Sequence, residues 1–451
     1  MTNGKPRRRR SVFSGLLLIL VGVLLLMQNL RGDMRFLHFL RDWWPLLFIL
    51  WGLAKLYDNL MARRTGQSPP RTVTGGEIFL VFLIVAVVGS VYAGKRIPGF
   101  IEIDDSGFEW FGSTPYSFNE DIPAKTVAGD ARVSIRTDRG DISIHPEETA
   151  EIRVLVKKTV HAGDEGDAQK RAKQVNVVVR DAGGGYEVTT ENQGGRISVD
   201  LEVHVPKRAT ITAETSRGGI QVSGIQGSVT VETRRGDVEV RDTGGDVSAQ
   251  VTNGDVHIVG AKGNVKLSGR GGQVEIADVK GEATVQGEFF GPIRIEKVAR
   301  GARFVSRRTD LTVSELAGRI ETGSGRLEVS DAPGNLTLTT SKYDVVLENV
   351  AGRIHIENHD GNIELRFPQA PRETIEINNR SGDIELVLPA KSTFEVQAES
   401  RAGEIDSDFE ELAKQEKEER NTTTLNAKLG AKGPRFQLRT SYGTIRLRKG
   451  Q

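Results

Sequence analysis

The chain has 451 residues, with 61 Lys plus Arg against 60 Asp plus Glu, 51 glycines and no cysteine. That charge balance argues against a global affinity for nucleic acid or acidic substrates. The lack of cysteine excludes disulfide staples, thiolate metal sites and a cysteine nucleophile. Long apolar runs are confined to the first 94 residues, so the chain faces two solvents, lipid in that part and water in the rest.

Residues 1–10 carry Lys5 and Arg7 to Arg10 and read as a basic cytoplasmic tail. An uncharged run follows from Ser11 to Met27, close to the ~20 residues that cross a ~30 Å hydrocarbon core. The second run, Trp43 to Tyr57, is shorter; it opens on two tryptophans suited to the headgroup level and carries Lys55, which snorkels. Residues 11–60 therefore read as a transmembrane helical hairpin. The linker 61–76 holds Arg63, Arg64, Arg71 and the breaker Ser68-Pro69-Pro70, and residues 77–94 form a third apolar run.

The positive-inside rule places the tail and this linker in the cytoplasm, and three crossings then put everything after Gly94 outside. Lys95 and Arg96 oppose that weakly. Two alternatives compete. A cleaved signal peptide lacks a small-x-small site after Leu26, and two more apolar segments follow it. A second run that only re-enters the membrane would reverse the topology of the C-terminal part.

Gly15, Gly22 and Asn29 on the first run, with Trp44-Pro45 and Gly52 on the second, resemble the hairpin membrane module of LiaI/LiaF-type bacterial proteins. In that resemblance Gly15, Gly22 and Gly52 are helix-packing positions, where small residues allow close approach.

After an extracytoplasmic linker at 95–125, residues 126–210 alternate apolar and polar as a β module, interrupted at Gly163 to Val177 by a short surface helix. Then a rhythm begins. Gly218, Gly227, Gly236, Gly245, Gly254, Gly263, Gly272 and Gly281 stand nine residues apart. The second and fourth positions after each are apolar throughout, from Ile220 and Val222 to Ala283 and Val285, and the first and third are not. This is the pattern of a short strand with one buried face.

No separate helices are available to cover those faces, and strands of about five residues are too short for a membrane barrel, which needs about 9–11. Stacked coils solve the problem, each covering the next. Two residues before glycine, one set reads Ser216, Arg234, Thr252, Arg270 and the other Ile225, Thr243, Ala261, Val279. The turns alternate in character, so the coil has eighteen residues and about two strands, with a third short side left open.

The fold class is thus mainly β, a parallel β-solenoid over 211–366 preceded by three transmembrane helices. The rhythm slips between Gly291 and Gly318, then resumes at Gly325, Gly334, a substituted Tyr343, Gly352 and Gly361. Residues 367–451 form a C-terminal β module that closes the solenoid, with Glu410 to Arg420 a solvated helix or loop.

Several motifs invite a chemical reading. Arg-Gly-Asp occurs at Arg139-Gly140-Asp141, Arg235-Gly236-Asp237 and Arg31-Gly32-Asp33. The first two fall on the turn register, where glycine supplies φ > 0 and aspartate suits a tight turn. They read as turns. Asp237, Asp246 and Asp255 are weak calcium candidates, since a nine-residue period also occurs in calcium-binding coils, but the acid decays to Asn264 and Gln273. His355 and His359 are suggestively spaced, yet one is on an outward strand position and the other in the next turn. No catalytic, cofactor or metal site is expected, and a polysaccharide-active enzyme is the least favoured class.

The recurrent Ser/Thr-x-x-Gly-Asp-Ile/Val units, Val205-Pro206 and Leu388-Pro389 together resemble the bacterial putative-adhesin family of β-solenoid domains, from Thr126 to the end. The resemblance implies an extracytoplasmic domain coupled to membrane helices and supplies no catalytic residues. The expected function is a non-catalytic interaction module of the bacterial envelope, adhesive or stress-sensing. Its expected partners are the membrane and another envelope protein or a surface glycan, with no nucleic acid. The competing reading is a structural spacer that self-associates through open coil ends.

Overall fold

The computed structural model describes residues 114–450, except 195, 196, 324, 414, 415 and 420. The expected membrane helices and the packing positions Gly15, Gly22 and Gly52 lie outside the described residues. Among the described residues no helix is long and apolar enough to cross a membrane.

Ser117–Val160 and Gln169–Gln451 form one compact unit. Its strands fall into two sheets, walls A and B, which the chain visits alternately. In wall B the strand Val229–Thr233 pairs in parallel with the strands eighteen residues before and after it, Val229 opposite Ile211 and Val247. In wall A, Val238–Thr243 does the same, Val238 lying opposite Ile220 and Val256. Eighteen residues therefore make one coil of two strands.

The alternation in sequence becomes the interior. Val222, Val240, Ile258, Ile276 and Ile295 stack in register on wall A. Val231, Ala249, Leu267 and Val285 stack on wall B. All of these are buried. β-Branched side chains suit such a pleated surface, closed over on one face. Six wall A strands carry a left-handed residue near their end, Asp242, Gly260, Asp278, Lys297, Asp331 and Asn349, which bends the chain toward wall B.

The strands form the mainly β, parallel-rich solenoid expected from the sequence, but the winding is not parallel throughout. After Ala302–Val305 the chain doubles back: Thr309–Val313 pairs antiparallel with it and with Leu336–Thr340. On wall A, Leu316–Gly323 is antiparallel to Ile293–Val298 and to Arg326–Ala332. One coil thus runs backward, between the hairpin at Ser306 to Arg308 and the antiparallel pair that ends in Gly323 opposite Arg326. Between Gly301 and Gly318 no glycine occupies a corner, which marks where the winding is interrupted. Beyond Gly325 forward winding resumes, Leu327 pairing with Val345.

Both ends are closed by threading. The strands Arg132–Arg139 and Ile142–Glu147 lie inside the later strands Gly185–Glu191 and Ile197–Pro206. Likewise Arg435–Tyr442 and Ile445–Gly450 lie inside Phe394–Ser400 and Ile405–Ser407. A plug of three buried rings fills the C-terminal end, Phe394 stacked on Phe436 at 4.9 Å and edge-on to Phe409 at 5.6 Å.

The expected surface helix is Glu165–Ala172. Buried Lys158 donates to the carbonyls of Ala172 and Val175 at the end of this helix and pairs with Glu120 at 2.6 Å. The charged segment expected as helix or loop is instead a short helix, Glu410–Ala413, followed by an edge strand, Glu416–Glu419, antiparallel to Thr422–Leu429. Alternating charge suits an exposed edge as well as a helix.

Candidate interaction surface

The corner leading from wall B to wall A carries the Ser/Thr-x-x-Gly-Asp unit, and each of its residues has a geometric task. Thr233, buried at the end of its strand, donates its hydroxyl to the carbonyl of Gly218 in the preceding coil at 3.1 Å. Thr215 does the same to Gly140, and Thr440 to Gly382. Side chains thus satisfy carbonyls that the turn leaves unpaired.

The aspartate works in the other direction. The backbone N–H of Asp255 donates to Asp237 Oδ1 at 2.8 Å, and that of Gln273 to Asp255 Oδ1 at 2.7 Å. On the opposite corner the N–H of Asn264 donates to Asp246 Oδ1 at 2.7 Å. Asn264 takes the same role toward Glu282 at 3.0 Å. Arg235-Gly236-Asp237 is therefore a turn whose acid is engaged by its neighbour. The three calcium candidates are not one set either, since Asp246 faces the other corner. Among the described residues no group of three or more His, Asp or Glu converges as a metal site would require.

The glycines are explained differently from expectation. Of the eight in the rhythm only Gly218 and Gly236 have positive φ, +149° and +145°. The remaining six, Gly227, Gly245, Gly254, Gly263, Gly272 and Gly281, are required by close approach. At Gly254 a Cβ would overlap the carbonyl oxygen of Gly236, and at Gly272 the carboxylate of Asp255. His355 bonds to Glu376 at 3.1 Å and His359 to Arg380 at 2.8 Å, so the two histidines have separate partners.

At the backward coil this corner changes character. Phe289-Phe290 precede the corner Gly291, Pro292 stands in the place of the aspartate, Tyr343 stands in the place of a glycine, and Arg270, Arg307, Arg308 and Lys342 are exposed around them. Phe290 is 81% exposed. The strands are contiguous: Gly271 pairs with Phe289, the N–H of Arg307 donates to Glu288 at 2.8 Å, and the N–H of Ser341 donates to the carbonyl of Arg308 at 3.1 Å. Sequence reasoning found the slip in the rhythm and the substitution at Tyr343 but not this grouping. The signal was there, in corner positions that abandon glycine.

The other corner of the same region holds a recess of about 520 Å³ lined by Lys297, Asp331, Asn349, Glu328, Glu348 and Pro368 among others. Arg319 pairs with Glu328 across it at 3.9 Å, Lys297 pairs with Asp278 at 3.6 Å, and the amide of Asn349 donates to Asp331 at 2.6 Å. It offers no nucleophile held against a base.

Two threaded ends, two parallel walls and an eighteen-residue coil define a β-solenoid domain. Residues 131–448 match the family Toastrack DUF4097, and the chain belongs to that family. Residues 12–56 match the LiaI-LiaF-like transmembrane region, so the solenoid is carried by a chain with a membrane anchor of that type. No curated protein matches.

Among solved structures, the chain is similar to a putative adhesin from Parabacteroides distasonis ATCC 8503. The identity is 16%, over 60% of this chain and 97% of that one, with TM-score 0.30. A putative adhesin from Bacteroides fragilis NCTC 9343 matches at 11% identity over 74% and 97%, with TM-score 0.18. A putative cell adhesion protein from Clostridium sporogenes ATCC 15579 matches at 8% over 75% and 100%, with TM-score 0.16. At these scores the superpositions carry no weight for fold or function.

Proposed function

We propose that the protein is a multi-pass bacterial membrane protein that presents its solenoid outside the cytoplasm as a non-catalytic interaction module of the cell envelope. The observation that carries this reading is the joining, in one chain, of a LiaI-LiaF-like membrane region at 12–56 to a Toastrack solenoid at 131–448. The arginines before the first apolar run and in the linker 61–76 orient the third crossing outward. The surface of the solenoid carries many paired charges and backbone-engaged acids, which supports a contact role.

The spacer reading is less favoured. Its open coil ends are needed for polymerisation, yet the C-terminal end is closed by the strands Ile405–Ser407 and Glu416–Glu419, which are short and, in the second, wholly charged. Such edges resist pairing with another chain.

Protease added to intact cells or spheroplasts tests the proposal. Digestion of the solenoid without lysis is expected. Protection until lysis would remove the adhesive and sensing roles together.

A further inference from the structure

The backward coil brings together what the rest of the corner keeps apart. Elsewhere on this corner an aspartate stands beside the arginine in Arg139-Gly140-Asp141 and Arg235-Gly236-Asp237, so the charges offset. From Arg270 to Arg308 that compensation fails, and the corner aspartate returns only at Asp344, after Lys342 and Tyr343. Gln273 replaces the acid after Gly272, Pro292 replaces it after Gly291, and the hairpin Ser306 to Arg308 adds two arginines and no acid. Glu288 is occupied by Arg307, through its N–H at 2.8 Å and its guanidinium at 3.9 Å. Arg270, Arg308 and Lys342 are exposed and make no ion pair among the described residues.

These cations form a row, not a field. They are carried by five neighbouring wall B strands, from Val265–Gly271 through Leu336–Thr340, which span about 20 Å at ~4.8 Å per strand. Phe290 stands in that row as one of only two large apolar side chains exposed among the described residues. Breaks in an otherwise consistent structural rule are where functional residues are expected. Arginine and exposed aromatics are also the residue types that dominate binding surfaces.

We infer that the row formed by Arg270, Phe290, Arg307, Arg308 and Lys342 binds a linear polyanionic glycan. Guanidinium groups donate paired N–H bonds to carboxylate or phosphate oxygens, and an aromatic face stacks on the apolar face of a sugar ring. A row one or two side chains wide fits a chain lying across the coils. It does not fit a bilayer: one projecting ring contributes only ~1.5–3 kcal/mol of burial, and stable membrane attachment takes more than one such signal.

This inference deepens the envelope-module reading, but its test is independent of which side of the membrane the solenoid faces. The full chain, in nanodiscs without anionic lipid, is titrated with dextran, carboxymethyl-dextran and dextran phosphate. Both charged polymers are expected to bind, and neutral dextran not. The triple variant Arg270→Gln, Arg308→Gln, Lys342→Gln should weaken binding by about tenfold or more, and Phe290→Ala by about threefold to tenfold. The matched pair Arg234→Gln, Arg235→Gln, outside the row, should keep most of the affinity.

The inference is overturned by equal binding of neutral dextran or by no binding of either charged polymer. Unchanged affinity in the triple variant, or an equal loss in the matched pair, overturns it too. So does binding confined to phosphatidylglycerol vesicles. Protease protection in cells would leave all these outcomes as they stand.

Discussion

Asp255 accepts the backbone N–H of Gln273, eighteen residues on, at 2.7 Å, and this single bond states the repeat in physical terms. The acid is there to receive the next coil. Asparagine can do the same, as Asn335 does for the N–H of Arg353 at 2.9 Å. Asp255→Asn and Asp246→Asn should therefore be neutral within about 0.5 kcal/mol in thermal or denaturant unfolding. The alanine variants should each cost about 1 kcal/mol. Loss of stability in the asparagine variants would show that the negative charge matters for itself.

Glycine spacing makes a sharper prediction. Gly254 has no unusual φ, but an added Cβ would overlap the carbonyl of Gly236, whereas Gly129 has nothing within 4 Å of that position. Gly254→Ala should destabilise by about 1–3 kcal/mol or more, because the neighbour is backbone and must move. Gly129→Ala should stay within about 0.5 kcal/mol. Equal effects in chemical denaturation would contradict close coil contact.

How much of this was legible in the sequence depends on the range of the interaction. Wall alternation is local, so Val238 and Val240 declared themselves, and the nine-residue spacing fixed the coil. The backward coil did not, because antiparallel pairing of Thr312 with Thr337 is set by where two hairpins fall, and missing glycines mark only the slip. End threading was equally hidden: nothing local to Ile445 says that it lies between Ile384 and Ile405. The cationic row followed from the backward coil and was lost with it.

The C-terminal closure predicts acid sensitivity. Burial pushes the Asp383 carboxyl up, but the N–H of Thr444 at 2.8 Å and Arg446 at 2.6 Å outweigh it and hold it below its ordinary value. The N–H of Lys449, followed by Arg448, does the same for Asp408. A depressed folded-state value adds stability above the unfolded value of about 3.9, and this is lost as pH falls through the folded one. Hydrogen exchange at Ile445–Gly450 should therefore accelerate below about pH 4. Asp383→Asn with Asp408→Asn should flatten that dependence.

The aromatic plug should carry much of the closure. Phe394 is fully buried between Phe436 and Phe409, so Phe394→Ala should cost about 3–5 kcal/mol. The loss should appear first as exchange in the last threaded strands. A smaller effect spread evenly over the stack would contradict a local plug.

The central claim is the winding itself, with one coil reversed to build the exposed row, and cysteine pairing reads it directly because the chain has no cysteine of its own. Facing strands bring Cα atoms within the 4.4–6.8 Å that a disulfide spans. Under mild oxidation Thr230→Cys with Ser248→Cys should cross-link, as should Thr312→Cys with Thr337→Cys across the reversed coil. Thr312→Cys with Ser330→Cys, the eighteen-residue pair that uninterrupted forward winding would require, should remain reduced. Cross-linking of that last pair in place of Thr312 with Thr337 would contradict the reversal and the surface built on it.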